Sequence, residues 1–226
     1  MTVRLSDSFE HYLETREDGR VYQLDRVSHI LQEVGLSPRF GRNARAGAEI
    51  GTMVHDHIKD FLKDGKVPTF REFDKMSDAE KAVLNCWVLF CDWWAASGLA
   101  PYQSERCVAC GRLGYGGKLD LLATDAVTGE AVLVDFKTSL PATQQVSRTA
   151  YTLQLAAYAL ALEEMGEGLP TRALLVRLGK EEDQPDVHVG WETEEQARDA
   201  LEAWERVVLL AYWMREEREA RELVGR

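Results

Sequence analysis

The sequence contains no long hydrophobic run. No purely apolar stretch is longer than Val207 to Met214, far short of the roughly 18 residues a bilayer-crossing helix needs, so no membrane segment is expected. The first seven residues, Met1-Thr-Val-Arg-Leu-Ser-Asp, lack the apolar centre of a secretory signal, and the expected location is cytoplasmic. Proline is scarce, with 6 in 226 residues, while 45% of the chain is hydrophobic and 29% charged, which excludes disorder and low complexity. Cysteine is scarce too: Cys86, Cys91, Cys107 and Cys110 are expected to be ordinary thiols in a reducing compartment. Positive charge is in deficit, with 27 Lys and Arg against 38 Asp and Glu and a net charge of −11. A broad basic face is therefore excluded as a means of holding nucleic acid. The deficit is local, however. Residues 181–226 hold 14 acidic and 6 basic side chains, whereas residues 101–155 hold 5 of each.

The order of elements reads as one α/β domain over 1–226 with a helical N-terminal half. Asp18-Gly19 favours a tight hairpin turn between Phe9 to Leu13 and Val21 to Leu24. Asp25 is placed to cap a short helix that presents Val27, Ile30, Leu31 and Val34 and stops at Gly35. A basic loop with Arg39, Arg42 and Arg45 leads into a helix from about Ala44 to Leu62, striped by Ile50, Val54 and Ile58. Ser77 and Glu80 form a capping-box pattern for a further helix, expected to bury Leu84, Trp87, Val88, Cys91 and Trp94 before Gly98. The character then turns to strands: Tyr102 to Ala109, Gly116 to Thr124 and Ala131 to Thr138. A helix from about Thr149 to Met165, strands Arg172 to Leu178 and Asp186 to Val189, and a helix capped by Thr193 and Gln196 complete the chain. The expected divisions are an N-terminal hairpin and helices over 1–100, a sheet core over 101–190 and a terminal helix over 191–226.

In the third of these strands Val132, Val134 and Phe136 share one face and Asp135 and Lys137 the other. A carboxylate and an ammonium inside an otherwise apolar strand are costly unless paired or bound to a metal. An antiparallel pairing about the 126–129 loop sets Asp120 opposite Asp135, with Leu119 and Leu121 both turned to the far side. Opposed like charges destabilise a sheet, so this pair calls for a cation, and carboxylate oxygens favour a hard one such as Mg²⁺ or Mn²⁺. Taken alone, Asp135 and Lys137 fit a plain same-face ion pair equally well.

They do not stand alone. Gly116-Gly117-Lys118-Leu119-Asp120, Val134-Asp135-Phe136-Lys137-Thr138-Ser139 and Gln154-Leu-Ala-Ala-Tyr158 resemble, in order and spacing, the signature of the RecB-like branch of the PD-(D/E)XK nuclease superfamily. The resemblance implies a restriction-endonuclease-like core, a central mixed β-sheet flanked by helices. It implies that Asp120, Asp135 and the Phe136 carbonyl bind metal, that Lys137 assists the attacking water, and that Gln154 and Tyr158 flank the site. Gly51-Thr52-Met53-Val54-His55 resembles the upstream helix of the same branch, whose histidine is a further ligand. His57 is turned about 200° away on that helix and cannot join it. Glu105 resembles an acidic residue that many members place before the first aspartate, although an exposed strand glutamate would read the same.

The activity implied by the resemblance is that of a Mg²⁺- or Mn²⁺-dependent deoxyribonuclease, of exonuclease type, acting on single-stranded DNA or duplex ends. Asp25-Arg-Val-Ser-His-Ile-Leu before the His55 helix is most similar to stand-alone phage or bacterial recombination exonucleases, which implies recombination, repair or phage DNA processing and a recombination partner protein. Arg39, Arg42, Arg45 and Arg148 are expected to line the DNA path, and Tyr12, Tyr22, Phe40 or Tyr115 to stack bases. No iron–sulfur cluster is expected, because all four cysteines lie between His55 and Asp120 and none follows Gln154. The competing reading is a non-catalytic DNA-binding or scaffolding module of a recombination complex.

Overall fold

Three strands open the chain in the computed structural model, which describes residues 2–6, 10–36, 44–138, 145–180 and 184–224, excluding the side chains of 44–46, 145–147, 223 and 224. Strands β1 (Thr2–Leu5), β2 (Tyr12–Thr15) and β3 (Val21–Arg26) form an antiparallel meander, and Gly19 takes the left-handed φ of 78° that its turn requires. The hairpin predicted around Asp18-Gly19 is present; β1 is an additional strand. Helix α1 (Val27–Glu33) comes next, with Gly35 at φ 74° just beyond its end. Asp25 does not cap it. The N-cap is Arg26, without a side-chain bond, and the Asp25 carboxylate instead pairs with Arg215 at 2.8 Å.

Helices α2 (Ala44–Asp64) and α3 (Asp78–Ser97) are joined through a single 3₁₀ turn at Phe73–Lys75. The Ser77/Glu80 capping box is formed, and Gly98 at φ 67° ends α3. The buried face of α3 differs from the expected one. Val83, Cys86, Trp87, Leu89, Phe90 and Trp93 are buried, whereas Val88 is exposed. This helix is apolar on most sides, so spacing alone does not single out the face that meets the sheet.

The main sheet comprises β4 (Leu99–Cys110), β5 (Tyr115–Asp125), β6 (Ala131–Lys137), β7 (Arg172–Arg177) and β8 (Asp186–Trp191). Helix α4 (Gln145–Glu164) crosses between the parallel strands β6 and β7, and α5 (Glu194–Val224) closes the chain. All eight strands form one mixed sheet with the path β1-β2-β3-β5-β6-β7-β8, and β4 pairs along β5. Helices α1, α4 and α5 cover one face, packing on Val108, Leu122, Leu133 and Leu175; α2 and α3 cover the other, packing on Leu121, Val134, Phe136 and Val176. Strands buried on both faces explain the nearly continuous apolar sequence of β6 and β7. None of the described helices is long and apolar enough to cross a membrane.

Two irregularities in β5 position the functional residues. Its residues Tyr115 and Gly116 lie beside β3 in parallel and residues 121–124 pair antiparallel with β6, so on that edge residues 117–120 lie between two ladders. Moreover, Leu119 joins the α1/α4/α5 cluster while Leu121 joins the α2/α3 cluster. Regular pleating predicts both leucines on one face. The strand therefore rotates between them, at Asp120.

The α2/α3 layer centres on Phe90, which is fully buried with Phe61, Trp87, Trp93, Trp94 and Phe136 around it at centroid distances of 5.4–6.4 Å. Replacing Phe90 by alanine is expected to cost about 3–5 kcal/mol, read as a fall in the urea midpoint at unchanged slope.

Candidate metal centre

The predicted β5/β6 pairing is the observed one. Leu121 stands opposite Val134 and Thr124 opposite Ala131, and continuing this register sets Asp120 beside Asp135. On the other side, Ser104 stands opposite Leu121 and Arg106 opposite Leu119, so the residue facing Asp120 is Glu105. Three carboxylates on three neighbouring strands thus form one row across the sheet. Glu105 has φ 53°, the one described residue other than glycine in the left-handed region. Such a backbone costs roughly 1–3 kcal/mol. It occurs opposite the rotation of β5 and brings the Glu105 side chain into the row.

Each carboxylate has its own cation. Lys118 contacts Glu105; His55 Nδ1 lies 3.3 Å from Asp120 and 3.8 Å from Glu105; Lys137 lies 2.6 Å from Asp135. Past the Leu121/Val134 pair the backbone ladder ends, and the Phe136 N–H donates instead to the Asp120 carboxylate at 2.8 Å. Phe136 therefore meets the row through its N–H, while its ring packs in the α2/α3 layer. The Asp135 Oδ2 is buried, and its close contact with Lys137 is an ion pair without a directed hydrogen bond.

The titrations reflect this packing. Burial opposes a charge on His55, but Asp120 and Glu105 overcome it and push the imidazole up to about 10. Burial pushes Asp135 up to about 6 despite Lys137, whereas Asp120, although buried, is held below its ordinary value by His55, Lys137 and the Phe136 N–H. Lys137 is raised: burial works against its charge, and Asp135 and Asp120 outweigh burial. It is an ammonium at neutral pH.

Glycines let the helices come close enough. A Cβ on Gly51 would lie 3.1 Å from Thr138 Oγ1, so α2 abuts the end of β6 one turn before His55. A Cβ on Gly117 would lie 2.4 Å from the ring of Tyr158, which occupies that space and receives a hydrogen bond from the Gln154 amide at 2.7 Å. Burial and then Asp135 raise the Tyr158 phenol well above its ordinary value. Tyr151, one turn before Gln154, places its ring 5.4 Å from the Lys137 ammonium.

His55, Glu105 and Asp120 offer ligand atoms within 4.8 Å of one another, a set of one nitrogen and carboxylate oxygens that could hold a divalent ion. Asp135 borders this set, with its Oδ2 held 2.6 Å from the Lys137 ammonium. His57 points elsewhere, edge-on to Phe70 and Trp87. Sequence reasoning missed Lys118 and Tyr151. Lys118 stands inside the Gly-Gly-Lys-Leu-Asp motif, and Tyr151 falls at helical spacing from Gln154 and Tyr158, so both had a local signal.

Of the other expected residues, some lie outside the described residues and the rest are placed elsewhere. Arg39 and Arg42 lie outside the described residues, as do Phe40 and the side chain of Arg45. Arg148 is exposed on the first part of α4 and acts on His188 of β8, whose pKa is lowered by burial and then by the Arg148 charge. Tyr115 and Tyr12 are core residues rather than base-stacking surfaces: Tyr115 is fully buried and donates to the Ala157 carbonyl, and Tyr12 packs with Leu24 and Ala109. Tyr22 carries the Arg16 guanidinium on its ring at 4.1 Å. Cys107 and Cys110 belong to opposite sides of β4, packed in different clusters.

Comparison with known proteins adds three findings. A family model described as the PD-(D/E)XK nuclease superfamily matches residues 20–223. Among solved structures, a protein from Eubacterium rectale carrying the provisional name exonuclease superposes with a TM-score of 0.51 at 16% identity, covering 85% of this chain and 81% of its own. A second, SSO0001, gives a TM-score of 0.34 at 14% identity, covering 82% and 75%. No curated protein matches.

The Gly117 contact yields a test. Gly117→Ala is expected to cost about 1–3 kcal/mol by forcing Tyr158 aside, measured by urea unfolding. A double-mutant cycle with Tyr158→Leu should show the penalty shrinking once the ring is gone; an unchanged penalty would mean the ring is not the cause.

Proposed function

Because this chain belongs to the PD-(D/E)XK nuclease superfamily, we propose that it is a divalent-metal-dependent deoxyribonuclease of exonuclease type, working on DNA ends in recombination, repair or phage DNA processing. The observation that carries this reading is the row Glu105, Asp120 and Asp135 with His55 and Lys137 against it. Three acids crowded together in a half-buried row have an electrostatic reason to receive a multivalent cation, and their hard oxygens suit Mg²⁺ or Mn²⁺. The ligands in this reading are His55, Glu105, Asp120, Asp135 and the Phe136 carbonyl. When bound, such an ion polarises the phosphate and makes water a competent nucleophile near neutral pH.

The protein's own residues supply the rest. Lys137 is held by Asp135 on one side and the Tyr151 ring on the other, so its ammonium has a defined position. Kept protonated by two carboxylates, it donates to the attacking water and to the phosphate oxygens and balances the charge that builds there. It is not the base. The Gln154 amide donates to the Tyr158 oxygen, and packing on Gly117 holds that ring in place. Asp120, accepting from the Phe136 N–H, is oriented before any ligand arrives.

The test incubates 5′- and 3′-labelled single- and double-stranded DNA, a covalently closed circle and an RNA of the same sequence with the protein in Mg²⁺ or Mn²⁺. Linear DNA should shorten from an end, the circle should persist, and EDTA should stop the reaction. Asp135→Ala and Lys137→Ala should each lower the rate at least a hundredfold with the folded state intact by circular dichroism. Cleavage that survives both substitutions would remove the site assignment, and DNA binding with no cleavage in either metal would leave the scaffolding module as the reading.

A further inference from the structure

Helix α5 has two apolar faces, and the fold uses one. Ala197, Leu201, Trp204, Val208 and Ala211 are buried against the sheet and α4, and Arg215 and Arg218 tie the same helix to Asp25 and Glu33. On its outer side Leu209, Leu210 and Trp213 are 61%, 46% and 57% exposed. Three large apolar side chains in five residues, on one side of a helix, form the kind of patch that marks an interaction surface. Beside Trp213 runs a groove lined by Met214, Glu217, Arg218 and Arg221.

The charges flanking the patch indicate what covers it. N-terminal to it, Glu202 pairs with Arg206; C-terminal to it, Glu217 pairs with Arg221 at 3.6 Å. Both pairs read acid then base along the helix. Laid antiparallel on a second copy, with the two-fold axis passing between the levels of Ala211 and Tyr212, Leu210 meets the partner's Trp213, Arg206 meets the partner's Glu217, and Glu202 meets the partner's Arg221. Every charge faces its opposite at both ends, and the apolar centre faces itself. A parallel arrangement would set like charges level with one another. Self-complementarity of one patch about a two-fold axis is the requirement for an isologous dimer. The helix has 31 residues, roughly 46 Å at 1.5 Å per residue, which gives two such helices a long line of contact.

We propose that the exposed face of α5 is a homodimer interface, occupied by α5 of a second copy running antiparallel, with Leu209, Leu210 and Trp213 as its apolar centre and the partner's leucines seated in the groove beside Trp213. The interface does not depend on the nuclease reading.

Sedimentation equilibrium of the full chain tests it. The 25.5 kDa chain should sediment at about twice that mass at micromolar concentration, and Trp213→Glu should sediment as a folded monomer whose unfolding midpoint no longer rises with protein concentration. Charge reversal reports the orientation. Arg206→Glu and Glu217→Arg should each weaken self-association at least tenfold, and an equimolar mixture of the two should restore a dimer, because each then faces its opposite charge. Wild-type protein monomeric at 100 µM, a Trp213→Glu variant that remains dimeric, or a mixture no tighter than its components would overturn the proposal. Binding of the wild-type monomer to anionic lipid vesicles through Trp213 would do the same.

Discussion

Crowding of like charge is the constraint on which the rest of the architecture depends. Glu105, Asp120 and Asp135 stand side by side on β4, β5 and β6, where two opposed carboxylates are already unfavourable. The fold answers with one cation per carboxylate, drawn from β5, α2 and β6. These pairs differ in kind. Lys137 is partly buried against Asp135 and Tyr151, His55 bridges two acids, and Lys118 reaches in from a more exposed position. Isolated exposed ion pairs contribute little, but a buried charge left unpaired is strongly destabilising. The row is therefore a set of mutual dependencies that a change at one member passes to the others.

The sheet makes room for this row by breaking its own regularity. If β5 kept regular pleating, Leu119 and Leu121 would share a face, and if β3 and β6 ran continuously beside it, no edge would open near Asp120. Instead the strand rotates at Asp120, Glu105 adopts a left-handed backbone, and the Phe136 N–H turns from the ladder to a side chain. Strain of this sort persists only where the surroundings hold it. Here the holding elements are Tyr158 packed over Gly117 and α2 packed through Gly51 against Thr138. Two glycines far apart in sequence thus govern how closely two helices approach the same three strands.

The negative charge of the chain has a structural location as well. Part of it lies on α5, which holds 9 acidic and 5 basic side chains and where glutamates alternate with arginines in pairs along the helix or toward α1 and α4. This share of the acidity lies away from the balance of charge at the carboxylate row. Net charge is thus a poor guide to what the carboxylate row can bind, since fields act locally and a divalent ion would reverse the sign there.

Much was legible in the sequence because its causes are local. The Asp18-Gly19 turn, the Ser77/Glu80 cap, the alternation of β6 and the register that sets Asp120 opposite Asp135 each depend on residues close in the chain, where pleat, turn length and capping leave few choices. The family resemblance was also carried by short motifs. Only the tertiary structure decided the rest. It assigned Asp25 to Arg215 rather than to a helix cap, buried Tyr12 and Tyr115, chose the inner face of α3, rotated β5 at Asp120 and brought Lys118 to Glu105. Each of these is settled by which distant surface best fills a shared space, and a pattern of neighbours along the chain has no term for that competition.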